Sequence, residues 1–77
     1  DIHAKDRWGA TSLHWASEGG HKGVVKVLLN HSAHINAKDR WGVTALHHAS
    51  KGGHKGVVKI LLGRGVDINA KDRSGKT

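Results

Sequence analysis

Eight histidines in 77 residues are the first place to look for chemistry. Imidazole binds metals readily and moves protons near neutral pH. A zinc site takes three or four converging ligands. His31 and His34 lie close together, but no acidic residue stands at ligand spacing from them, and the chain has no cysteine. His3 and His48 are single residues in different surroundings. No metal site and no cofactor are therefore expected. Ser12, Ser17 and Ser50 fall near histidines, yet a hydroxyl nucleophile needs a base that a third group orients. The six carboxylates supply no evident group of that kind. The chain reads as noncatalytic.

The C-terminal run AKDRSGKT comes close to the phosphate-binding pattern G-x-x-x-x-G-K-[ST], with Ala70 in place of the first glycine. That loop works only between a strand and a helix, where backbone N–H groups cradle the phosphates. Here the run aligns with AKDRWGAT and AKDRWGVT earlier in the chain. Its resemblance to a nucleotide site is a by-product of repetition.

The repetition governs the whole chain. Residues 1–33 and 34–66 agree at 22 of 33 positions, and a third copy occupies residues 67–77. A period in this range indicates stacked units, each too small to bury its apolar face alone. The expected organisation is one array: a first repeat at 1–33, a second at 34–66 and a partial third at 67–77. Such arrays present extended surfaces to other macromolecules.

Within a copy, residues 4–9 read as a polar turn flanked by Asp and Gly. Thr11 stands where a helix N-cap belongs. Leu13 and Ala16 then mark one face of a short helix, which Gly19 and Gly20 end. A second helix runs from about Lys22 to Asn30. Its apolar residues, Val24, Val25, Val27, Leu28 and Leu29, are too many for a helix with a wet face, so burial between neighbouring units is expected. Residues 45–51 and 55–63 repeat the two helices. Trp15, replaced by His48 in the second copy, is expected to pack between helices. Gly23 and Gly56 fall inside second helices, where glycine costs up to about 1 kcal/mol against alanine.

Thirteen Lys and Arg against six Asp and Glu give a formal charge of +7. Lys5, Arg7, Lys22 and Lys26 recur as Lys38, Arg40, Lys55 and Lys59, so stacking turns the charge into a stripe. The stripe favours acidic partners and polyanions, or simply solvates the surface. No apolar run approaches the roughly 20 residues of a membrane span, and no leader is visible at the start. The default expectation is an intracellular protein, cytoplasmic or nuclear, without membrane contact.

The residues carry a family resemblance across the whole chain. Asp6, Gly9, Thr11, Leu13, His14, Ala16, Gly20, His21, Val24, Val25, Leu28, Leu29, Ala33, Asn36 and Ala37 follow the ankyrin-repeat pattern. Asp39, Gly42, Thr44, Leu46, His47, Ala49, Gly53, His54, Val57, Val58, Leu61, Leu62, Gly65, Asn69 and Ala70 follow it again. The chain thus resembles an ankyrin-repeat solenoid: all-α, with two full helix-pair repeats and a partial third hairpin tip. The resemblance implies that the Thr–His pairs lock each turn to its helix and that His21 and His54 shape the loop between helices. Ser12 and Ala45 replace the family's proline, and Ser32 replaces the glycine kept at Gly65. At a left-handed position serine costs roughly 1 kcal/mol. Arrays normally need three repeats for stability. Both full copies keep apolar outer faces, so the chain is expected to belong to a longer array or to lean on a second copy of itself.

The resemblance also implies that the tips and the adjoining concave face make the contacts. These positions are Arg7, Trp8 and Ala10, then Arg40, Trp41 and Val43, then Arg73, Ser74 and Lys76, with Glu18 and Lys51 beside them. Trp and Arg are enriched at interface hot spots. Trp8 and Trp41 are either anchors for a partner or packing between tips. The function expected is protein–protein binding, with an acidic partner. Nucleic-acid or polyanion binding through the Lys/Arg stripe is the alternative, as is a structural or designed array that self-associates.

Overall fold

A computed structural model of the protein describes residues 2–76. Its helices are α1 (Ser12–Glu18), α2 (Lys22–Asn30), α3 (Ala45–Lys51) and α4 (Lys55–Gly63). No strand occurs among the described residues. Thr11 and Thr44 hold extended backbone immediately before α1 and α3. After each of these helices a glycine at positive φ, Gly20 (73°) or Gly53 (71°), turns the chain into the next helix. Glycine takes that conformation without the Cβ clash of other residues. The helices form two pairs, α1 with α2 and α3 with α4, and α1 also packs on α3 and α2 on α4. Leu13, Ala16, Val25, Ala45, Ala49, Val57, Leu61 and Val66 form the core. The small Ala45 and Ala49 are fully buried, which lets α3 approach α1 closely.

The second helices are not sandwiched as their composition suggests. Val57 is buried, but its equivalent Val24 is 52% exposed; Val27 and Leu62 are exposed as well. Val25 is fully buried, whereas its equivalent Val58 is only partly so. The apolar residues of α2 and α4 divide between two opposite faces, and this chain pairs one face of each. The helical glycines are likewise not simple defects. Gly56 lies beneath the aliphatic stem of Lys22, where a Cβ would meet the side chain. That contact offsets part of the propensity cost by packing methylenes on backbone.

His14 fastens one unit to the next. The backbone N–H of Thr11 donates to Nδ1 of His14 at 3.0 Å. That bond requires a bare Nδ1, so the proton sits on Nε2, which donates to the carbonyl of Val43 at 2.9 Å. The Thr11 hydroxyl stands 2.9 Å from the same Nδ1. His47 repeats the arrangement, with Thr44 N–H on Nδ1 at 3.0 Å and Nε2 3.2 Å from the carbonyl of Lys76. A second imidazole, His54, donates from Nε2 to the carbonyl of Glu18 at the end of α1, at 2.8 Å. The implied structural roles of His14, His47 and His54 thus have direct hydrogen-bond counterparts.

Burial lowers the pKa of His14, and the nearby His48 adds to the effect, against the opposing pull of the Val43 carbonyl and Asp39. The neutral ring therefore stabilises the fold fully above the model value of 6.5, and this contribution is lost as pH falls below it toward the folded pKa. Unfolding midpoints in urea should drop between about pH 7.5 and about pH 5. Equal midpoints at both would show that His14 is not held neutral. Ser32 has φ of +70°, close to the +79° of Gly65. Ser32→Gly should raise stability by about 1 kcal/mol, because it removes the left-handed Cβ clash. Matched urea titrations of the two proteins check this, and an unchanged midpoint would contradict it.

Candidate interaction surface

Each tip is built around one aspartate. The Oδ1 of Asp6 accepts from the backbone N–H groups of Trp8 (2.9 Å) and Ala10 (3.0 Å). Asp39 does the same for Trp41 and Val43, both at 2.9 Å, and Asp72 for Ser74 and Lys76, both at 2.9 Å. Aspartate suits this place because its short carboxylate reaches N–H groups a few residues ahead and closes a turn. Three residues on, Gly9, Gly42 and Gly75 take positive φ. Their N–H groups return to the carbonyls of Asp6, Asp39 and Asp72.

The donors leave their mark on the carboxylates. Partial burial by itself would raise Asp6, but the N–H groups of Ala10 and Trp8 and the indole of Trp15 outweigh it and hold the group below the usual range. Asp72 is also held low, first by the N–H of Lys76, against the effect of burial, with Ser74 and the charges of His47 and Lys76 helping. These charges are turned inward, toward the turns they close.

The tips are linked in a ladder. The N–H of Arg40 donates to the carbonyl of Trp8 at 2.9 Å, and that of Arg73 to the carbonyl of Trp41 at 3.0 Å. Gly9 and Gly42 stand directly under these links: a Cβ there would lie 3.0 Å from the nitrogen of Arg40 or 3.1 Å from that of Arg73. The equal steps bring Arg7, Trp8, Arg40, Trp41 and Arg73 into one row. Trp8 is 41% exposed and Trp41 48%. Beside each ring stands the guanidinium of its own tip, Arg7 at 5.2 Å from the Trp8 centroid and Arg40 at 5.5 Å from that of Trp41. Such cation–π pairs stiffen both side chains while leaving ring surface open.

The other positions fall as follows. Ser74 and Lys76 are exposed on the third tip, and Ala10 and Val43 are half-buried at tip bases. Their backbones are not free of structural duty, as the repeat pattern implied: the carbonyls of Ala10, Val43 and Lys76 accept from Asp6, Asp39 and Asp72. Glu18 and Lys51 are exposed at the ends of α1 and α3. Lys51 lines an open groove of 770 Å³ along α3, with Leu46, Ser50 and Ile68 among its walls.

Trp15 does not pack between helices. It is 53% exposed, and its indole N–H donates to Oδ2 of Asp6 at 2.9 Å. An indole N–H needs an acceptor, and the carboxylate that shapes the tip is the one within reach. His48 stands in the equivalent place, with Nε2 3.7 Å from Oδ2 of Asp39. The aspartates are the residues that sequence reasoning undervalued. Their signal is an Asp three residues before a glycine in every copy.

His31 is exposed, and His34 stacks on His3 with centroids 4.0 Å apart. Among the described residues no group of three or more His, Cys, Asp or Glu could hold a metal ion. Residues 70–76 form the third tip, as the alignment with earlier copies indicates; Thr77, the last residue of the phosphate-loop pattern, lies outside the described residues. No helix among the described residues is long and apolar enough to cross a membrane.

Comparison with known proteins agrees with the geometry. A family model of ankyrin repeats in three copies matches residues 1–72. Delta-latroinsectotoxin-Lt1a of Latrodectus tredecimguttatus is 53% identical over 36 residues, which are 47% of this chain and 3% of that protein. The chain therefore spans only a small fraction of the length of the curated relative it matches. A 33-residue period, paired helices, laddered tips and a family match over nearly the whole length lead to one conclusion: this chain belongs to the ankyrin-repeat family.

Proposed function

We propose that the chain is a noncatalytic protein-binding module whose contact surface is the row of tips, Arg7, Trp8, Arg40, Trp41 and Arg73, with Glu18 and Lys51 beside it. Ankyrin repeats in general are protein–protein interaction modules, and that is the level at which family membership bears on function. The observation that carries the finer reading is the pair of half-exposed indoles, one unit apart, each beside an arginine. Their ladder positions are fixed by backbone, so the side chains are spared from holding the fold. Large aromatic rings with little rotamer freedom to lose make efficient anchors.

The partner proposed is acidic. Arg7, Arg40, Arg73 and Lys76 project at the tips while the tip aspartates face inward to backbone donors. A formal charge of +7 would steer an acidic segment toward this row. A second copy of the chain is a further partner, and it would use other faces.

The test is a titration of Asp/Glu-rich peptide libraries against the chain and against the double variant Trp8→Ala, Trp41→Ala. The double variant should lose about 2 kcal/mol of affinity for the selected peptide. Its unfolding midpoint should stay close to that of the parent. Unfolding of the variant, with binding intact per folded molecule, would assign the indoles to packing instead.

The recurring lysines support a second reading, binding of nucleic acid along the stripe. Phosphate contacts release counterions, so affinity for a duplex would fall log-linearly with salt, by a slope of about one per phosphate engaged. Peptide anchoring by indoles should show a much shallower slope. A steep slope together with no effect of the double variant would favour the nucleic-acid reading.

A further inference from the structure

Residues 33 apart in this chain differ in burial in one consistent sense. Val57 is buried and Val24 open; Ser17 is fully buried and Ser50 open. The second helix pair covers one face of the first, and the first covers the opposite face of the second. Two faces are left over, on α1–α2 and on α3–α4. Each is a near copy of a face already paired inside the chain.

Individual contacts carry the likeness down to atoms. His54 reaches from the start of α4 to the carbonyl of Glu18. His21 holds the same pose against its own loop: its Nε2 fills the space beside Gly19 as that of His54 fills the space beside Gly52. His21 is exposed, and the carbonyl equivalent to that of Glu18 belongs to Lys51. Gly56 is covered by the stem of Lys22, whereas Gly23 has nothing within 4 Å. The stem equivalent to Lys22 is that of Lys55. Charge fits as well, since Glu18 and Lys51 hold the same position and would alternate along a stack of copies.

The third tip sets a condition. Residues 67–77 agree with residues 1–11 at 8 of 11 positions. They occupy the third seat on the ladder, through the N–H of Arg73 on Trp41 and the carbonyl of Lys76 near His47. An incoming copy would need that seat for its own residues 1–11. It comes with more to offer, because Trp8 stands where this tip has Ser74, and α1 and α2 follow behind.

We infer that two copies of this 77-residue chain join head to tail, the α1–α2 face of one docking on the α3–α4 face of the other, with residues 1–11 of the incoming copy displacing residues 67–77. The union goes beyond partner binding at the tips and uses different surfaces. Its occupant is dictated by continuity with the interface between the helix pairs. The contact is heterologous, so each union leaves another pair of free faces and the assembly stays open-ended.

Sedimentation of the full chain over a concentration series tests this. Species should grow past the dimer as concentration rises, and added salt should promote growth by screening the mutual repulsion of +7 chains. A strict monomer up to about 1 mM, where even weak pairing would show, overturns the inference. Gly23→Lys puts a side chain where the stem of Lys55 would lie and replaces a poor helix former with a better one. Ser50→Arg blocks the opposite face at an exposed helical site. Each variant, with folding checked by circular dichroism, should be monomeric alone, and an equimolar mixture should give a one-to-one dimer and nothing larger. Self-association of either variant alone, or a mixture that stays monomeric, overturns the head-to-tail geometry. Asp72→Ala removes the carboxylate that closes the third tip and should tighten association about tenfold, as two turn hydrogen bonds are lost from the competing segment. Unchanged or weaker association overturns the displacement step.

Discussion

A neutral imidazole fixes the step from one unit of this protein to the next. His14 receives the N–H of Thr11 on one nitrogen and gives its own proton to Val43 on the other. The first bond ties the tip to its helix, and the second ties that helix to the following tip. The ring can do both only as one tautomer, and it can keep that tautomer only while uncharged. The rest follows from the step it sets: Arg40 meets the carbonyl of Trp8, α3 lies against α1 through Ala45 and Ala49, and His54 reaches the end of α1. Apolar burial supplies the driving force for packing, but it is not directional. Directed bonds choose among the ways in which two similar helix pairs might slide past each other.

Most of the fold was legible because its signals are local. The Thr caps and the glycine after each first helix mark boundaries that need no knowledge of neighbours, and the helix spans agree with the expected ones. Ser32 was legible for the same reason: its partner Gly65 reveals the left-handed backbone that the position demands. What failed to show in the sequence was which side each residue faces. Val24 and Val57 are the same residue in the same local pattern, yet one is open and the other buried. The difference comes from whether another unit lies alongside, and no residue within the helix encodes that. Trp15 failed differently. Hydropathy placed it inside, while its indole N–H found a carboxylate at the surface.

The candidate surface was legible in its positions and not in its chemistry. Equal spacing predicts that the tip residues share a face. It does not predict that the arginines stand beside their own tryptophans, or that the aspartates spend their acceptor capacity on the turns. Those facts change the character of the row. Side chains that look like alternating charges in the sequence become a basic, aromatic strip with its negative groups folded underneath. The division of labour is consistent throughout: backbone and aspartate build the ladder, and arginine and tryptophan remain at its outer edge.

The ladder also records where this protein can tolerate change. Gly9 and Gly42 are constrained twice, by positive φ and by the neighbouring tip a bond length or two away from any added carbon, whereas Gly75 is constrained by φ alone. A covered tip inherits the shape of the tip stacked on it; an uncovered one answers only to its own turn. Mutational drift should therefore enter a repeat array where nothing leans on the chain. The third tip bears that mark, having Ser74 and Lys76 where the covered tips keep tryptophan and a small or branched apolar residue. In such an array, divergence between copies is a record of which neighbours each copy has had to accommodate.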